Sequence, residues 1–211
     1  MDGTLIESGG AWDRALLELG VRHGHTLPPE FFAEIVGLPS ADAVALARRR
    51  FGPSGEHVDA DVEWVQARAL ALLRSTRSTW FPHARQLVAD CREAGLRVAL
   101  VTSSERVFVH AQLTAEERSW FDHIVAREDV PVPKPDPEPY RAAARLLGVE
   151  PETCVVVEDS AVGVASALRA GCSVAAVRRG IVTGAADALR LQEFDSLDEL
   201  TVAVLRRVHC G

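Results

Sequence analysis

The sequence predicts an α/β fold, a parallel sheet core with helices on both faces and an inserted α-helical cap. Three observations predict it. From Pro82 onward, short apolar runs alternate with segments of helical periodicity, the pattern of a parallel sheet covered on both sides. Before that point only helical periodicity is visible. The length, 211 residues, allows one such domain plus a modest insertion and no second large core.

In chain order, Trp12, Ala15, Leu16 and Leu19 recur at helical spacing, and Pro28-Pro29 opens a second helix through Phe31, Phe32 and Ile35. Ser40 caps a third helix through Val44, Ala45 and Phe51, and Asp59 or Asp61 begins a fourth with Val62, Val65, Ala69 and Leu72 on one face. No strand is expected before about residue 95. A helix from Pro82 stops at Ala94-Gly95, and Val98 to Val101 is the first apolar run. Further strands are expected at Ile124-Val125, Val155 to Val157 and Val174 to Val177, with helices at Pro137 to Leu147 and Ala161 to Ala170. The predicted domains are a core of residues 1–8 and 79–211 and a cap of residues 9–78. In an open sheet of this class, ligands gather at the carboxyl ends of the strands.

Composition excludes several functions. A formal charge of −7 and no basic patch argue against a nucleic-acid partner. No apolar run approaches the roughly 18–20 residues of a membrane span, and no basic-then-apolar leader opens the chain, so the expected location is the cytoplasm. Cys91, Cys154, Cys172 and Cys210 form no Cys-x-x-Cys pair and are expected to be reduced thiols. Lys134 is the only lysine among 23 basic residues.

Four motifs carry chemistry: Asp2-Gly3-Thr4-Leu5, Thr102-Ser103-Ser104 after an apolar strand, Lys134-Pro135-Asp136-Pro137 before a helix, and Glu158-Asp159-Ser160 after three valines. Singly, each has a plain structural reading as a turn, a cap or a solvated loop. Together they suit a phosphate dianion beside Mg²⁺. A hard cation takes oxygen ligands, which Glu158 and Asp159 offer. The anion takes donors and positive charge, which the Thr102 hydroxyl, the Ser103 N–H and the Lys134 ammonium offer.

With these motifs in hand, the stretches Asp2 to Ser8, Thr102 to Ser104, Lys134 to Pro137 and Glu158 to Gly163 resemble, over essentially the whole chain, the four motifs of haloacid dehalogenase-type hydrolases. The branch resembled contains β-phosphoglucomutase and many small phosphatases. The resemblance implies a Rossmann-like core, an aspartyl-phosphate intermediate, obligatory Mg²⁺ and a small phosphorylated substrate, in a monomer or homodimer. It makes Asp2 the general acid and base, and a metal ligand through its carbonyl. Thr102, Ser103 and Lys134 become phosphate binders, with Lys134 also neutralising charge, and Glu158 with Asp159 the acidic metal site.

The family's nucleophile is an aspartate two residues before the one Asp2 matches, a position ahead of Met1. We therefore expect the first core strand and that aspartate to be encoded upstream. The acid at Asp2 favours phosphate-ester hydrolysis over dehalogenation or phosphonate cleavage. A non-catalytic phosphate- and metal-binding relative is the alternative. A sugar-phosphate mutase is less favoured, because Leu38-Pro39-Ser40-Ala41 follows Gly37 where mutases place a basic residue. Trp12 is expected to be core, and His83, where the family usually has glycine, a surface residue.

Overall fold

The computed structural model describes residues 1–8, 10–35, 38, 40–52, 58–75, 79–177 and 189–210. It divides into two compact units, residues 1–7 with 80–211 and residues 8–79.

The smaller unit is helical: α1 (Ala11–Arg22), α2 (Pro29–Glu34), α3 (Ser40–Phe51) and α4 (Val58–Ser75). Helices α1 and α3 both pack on α4, along the apolar stripe that Ala15, Leu16, Val44, Val65, Ala69 and Leu72 create at helical spacing. Phe31 meets the rings of Phe32 and Phe51 edge-on, with centroids 5.7 and 5.6 Å away. Asp61 is buried on α4, where Arg48 pairs with it and His23 Nε2 lies 2.9 Å from its Oδ2. These contacts satisfy a carboxylate largely removed from water.

The larger unit begins with the two-residue strand β1 (Ile6–Glu7), and the main chain resumes its order after β2 (Thr79–Trp80). There follow α5 (Ala84–Glu93), β3 (Ala99–Val101), α6 (Arg106–Gln112), α7 (Ala115–Arg118), β4 (His123–Val125), α8 (Glu138–Leu147), β5 (Val155–Glu158), α9 (Ala161–Ala170), β6 (Ser173–Ala176), β7 (Leu191–Glu193) and α10 (Val202–Cys210). The pairings among β3 to β7 are parallel: β3 with β4 in the register Leu100 to Ile124, β5 with β6 in the register Val156 to Val174, and β6 with β7. Alternation along β5 explains the layers. Val155 and Val157 join the cluster of Leu87 on α5 and Leu205 on α10, while Val156 joins Tyr140 on α8 and Val164 and Ala167 on α9. Helices therefore cover both faces.

The short strands correct the expectation of none before residue 95. Two-residue elements are too short to leave a periodicity, and Ile6 is fully buried without any apolar run around it. Strand β7 was equally invisible, since two of its three residues are polar and exposed. Unexpectedly, the three valines of β5 are only half-buried, whereas β6 is buried at all four positions. The reason lies in the ladder. Strand β6 has neighbours on both edges, but β5 pairs with β6 alone among the described strands, and β3 pairs with β4 alone.

In this unit Trp80 and Trp120 meet at a 48° tilt with centroids 5.5 Å apart, and the Arg85 guanidinium lies over both rings, 5.2 and 5.7 Å from their centroids. Glu117 closes the group, accepting from Trp80 Nε1 at 2.9 Å and from Arg85.

Candidate active site

The first motif is a tight turn in which the N–H groups of Leu5 and Ile6 both donate to the Met1 carbonyl, at 2.8 and 3.2 Å. Gly3 has φ +77° within it, and a Cβ there would overlap the Asp159 carboxylate. Only glycine lets the chain come that close. The next residue, Thr4, is buried and donates its hydroxyl to Asp159 Oδ1 at 2.5 Å.

The second motif caps the end of β3. Thr102 extends the ladder through its N–H to the Val125 carbonyl at 2.9 Å, and its own hydroxyl accepts from Ser104 N at 3.1 Å. Ser104 then turns its hydroxyl to Asp2 Oδ2 at 2.9 Å. The other oxygen of Asp2, Oδ1, is buried and has no hydrogen-bond partner among the described residues. Ser103 lies between these two donors, and its side chain takes no part in their bonds.

The third motif delivers Lys134 from the turn before α8. Its ammonium donates to the Val101 carbonyl at 3.3 Å and forms a buried ion pair with Glu158 Oε1. The lysine thus ties the end of β3 to the end of β5. The fourth motif supplies the partner: Glu158 Oε2 accepts from Asp159 N at 3.1 Å, from Ser160 N at 3.3 Å and from Ser160 Oγ at 3.1 Å, while Tyr140 donates to Oε1 at 2.8 Å. Ser160 also caps α9, accepting from Gly163 N at 3.1 Å. The capping reading and the site reading of this motif both hold, on different residues.

Electrostatics separate the two acids. Burial pushes the Glu158 carboxyl up, but the Lys134 charge, the terminal ammonium and the hydrogen bonds from Lys134 and Tyr140 outweigh it and bring its pKa down to about 2. Asp159 moves the other way, raised by burial and by the adjacent Glu158 charge against the opposing Thr4 hydrogen bond. Side by side, Glu158 is held as an anion, while Asp159 is ionised less readily than an ordinary aspartate.

Of the predicted residues, Asp2, Thr102, Lys134, Glu158 and Asp159 are joined by this single network. Sequence reasoning missed Thr4, Ser104 and Tyr140. Thr4 and Ser104 stood inside motifs already quoted, but a hydroxyl in a turn carries no sign of a partner over a hundred residues away. Tyr140 is the only tyrosine, a signal that went unused.

Among the described residues, no three acidic, histidine or cysteine side chains are gathered as a ready-made metal cage. The donor set that exists still fits Mg²⁺, which takes one or two carboxylates and fills its octahedron with water and phosphate oxygens. Asp159 has a raised carboxyl and Asp2 an orphaned buried oxygen, and Gly3 lets the turn that follows Asp2 close on the Asp159 carboxylate. Glu158 fits less directly, because both its oxygens already accept hydrogen bonds.

A family model of haloacid dehalogenase-like hydrolases matches residues 1–171. The chain belongs to this family. Its relatives include hexitol phosphatase B of Escherichia coli K12, 37% identical over 95% of this chain and 91% of the relative, and hexitol phosphatase A of the same organism, 33% identical over 96% and 91%. Among solved structures, CbbY from Rhodobacter sphaeroides in complex with phosphate superposes with a TM-score of 0.83 at 28% identity, covering 98% of this chain and 96% of that one. The homologues that match over nearly the full length are phosphatases of the family, and the chain is a haloacid dehalogenase-like hydrolase with parallel strands and a helical cap region, α1 to α4. No helix among the described residues is long and apolar enough to cross a membrane.

Two family comparisons made on the sequence resolve differently. His83 is exposed, as expected, and has φ +62°, a left-handed conformation that glycine adopts without steric cost. The mutase argument falls on Gly37 and Pro39, which lie outside the described residues. Trp12 is half-buried on α1.

Proposed function

We propose that the protein is a Mg²⁺-dependent phosphomonoester hydrolase acting on a small phosphorylated sugar or polyol through an aspartyl-phosphate. One observation supports the reading: Lys134 is tied to both the Val101 carbonyl and Glu158, so the hydroxyl-bearing turn after β3 and the acidic turn after β5 lie next to each other. The full-length likeness to hexitol phosphatases supports the substrate class.

In this reading the Thr102 hydroxyl and the Ser103 N–H hold phosphoryl oxygens, and the Lys134 ammonium neutralises their charge. A lysine suits that task, since a compact ammonium reaches a single oxygen where a planar guanidinium would need two. Asp2 is oriented by Ser104 through Oδ2, which leaves Oδ1 to give a proton to the departing alcohol and then take one from water. Asp159 and the Asp2 carbonyl would hold Mg²⁺, which when bound supplies positive charge to the phosphoryl group. The family resemblance assigns the attacking carboxylate to the position two residues before Asp2.

The test is turnover of hexitol phosphates, phosphoglycolate and an aryl phosphate with and without Mg²⁺, on this chain and on one extended by its in-frame upstream codons. The expected result is Mg²⁺-dependent phosphate release by the extended chain, fastest on the hexitol phosphates. Phosphate binding without hydrolysis by both chains would instead favour the non-catalytic alternative.

A further inference from the structure

The only lysine and the only tyrosine of the chain meet at one oxygen atom. The Tyr140 hydroxyl donates to Glu158 Oε1 at 2.8 Å, and the Lys134 ammonium is ion-paired to that same oxygen. The ammonium also lies 4.8 Å from the centroid of the Tyr140 ring. Lys134, Tyr140 and Glu158 are 9%, 6% and 6% exposed, so the group is largely shielded from bulk water.

An ammonium has three N–H donors, and two are engaged, by Val101 O and Glu158 Oε1. The third is the one a ligand can use. A lysine stem has four flexible carbons and loses substantial rotamer entropy when held, so its direction must be imposed by walls. Tyr140 supplies two of them. Its ring face attracts the ammonium, and its hydroxyl pins the Glu158 carboxylate against rotation. From α8 alone, neither constraint is needed: the helix is already anchored by Ala143, Ala144 and Leu147.

We propose that Tyr140 is a positioning residue, holding Glu158 and the Lys134 ammonium so that one N–H stays directed at the phosphoryl site. The inference rests on reading Lys134 as the phosphoryl-binding cation and goes beyond it by assigning what aims that cation.

Because the chain has one lysine, lysine-selective ¹⁵N and ¹³C labelling gives one ε-ammonium signal. In the wild-type chain its ε-methylene protons should be shifted upfield by the Tyr140 ring, a measurement that needs no variant. Tyr140→Phe keeps the ring and removes one oxygen. It should keep the far-UV spectrum while ammonium hydrogen exchange speeds up at least fivefold and the Kd for inorganic phosphate rises about tenfold. Tyr140→Leu should abolish the ring shift and weaken phosphate further. An unshifted wild-type signal, or Tyr140→Phe exchange and phosphate affinity within twofold of wild type, overturns the proposal. If the wild-type chain binds no phosphate, the role of Lys134 falls by itself, and ring shift and exchange rate still decide whether Tyr140 positions it.

Discussion

Thr4 and Asp159 lie 155 positions apart and share a hydrogen bond of 2.5 Å, the threonine hydroxyl donating to Oδ1. This bond orients a carboxylate that burial otherwise makes reluctant to ionise. Thr4→Val keeps the shape and removes the donor. Urea unfolding should show a loss of about 1 kcal/mol, and Mg²⁺ binding by calorimetry should weaken. Unchanged Mg²⁺ affinity would mean that Asp159 does not need the threonine to face the cation.

Asp159→Asn removes the charge and preserves the volume. The variant should fold, because Gly3 still fits against the side chain, yet Mg²⁺-dependent hydrolysis by the extended chain should fall by about 100-fold or more. Equal turnover by variant and parent would refute the metal assignment.

Gly163 sits in the first turn of α9, where replacing glycine by alanine ordinarily helps a helix by up to about 1 kcal/mol. Here the sign should reverse. A Cβ at Gly163 would overlap the Glu158 carboxylate, which cannot retreat because its oxygens accept from Lys134, Tyr140, Asp159 and Ser160. Thermal unfolding of Gly163→Ala should occur at a lower temperature than wild type.

Glu117 gives the fold an acid limit. Burial raises its carboxyl, but bonds from the Thr114 backbone and hydroxyl and from Trp80, with the Arg85 charge, leave it below its ordinary value. A pKa lower in the folded than in the unfolded chain gives stability that is present above the unfolded pKa and lost as pH falls through the folded one. Glu117→Gln should therefore cost about 1–2 kcal/mol at pH 7 and flatten the loss of stability between roughly pH 5 and 3. Parallel stability-against-pH curves for the two proteins would count against it.

Much of the fold was legible because its signals are local. Helix α9 runs from Ala161 to Ala170 as predicted, since Ser160 caps it and Gly171 ends it in the left-handed conformation. The valines of Val155 to Val157 announced β5. What stayed hidden depends on contacts distant in sequence. Leu191–Glu193 becomes a strand only because β6 offers it a parallel edge, and Ser104 becomes part of the site only because Asp2 stands opposite. The carboxylates of Glu158 and Asp159 look alike in sequence, and it is Lys134 and Tyr140 on one side, and burial beside the Glu158 charge on the other, that make them different acids.

The paired indoles of Trp80 and Trp120 also make the molecule its own reporter. The four tryptophans divide evenly, Trp12 and Trp64 in the helical unit and Trp80 and Trp120 in the sheet unit. The Arg85 guanidinium lies over both rings of the second pair, so their emission should change when the surrounding packing loosens. With phenylalanine at positions 12 and 64, fluorescence would follow the sheet unit alone, and comparison with the parent signal would tell whether both halves melt as one.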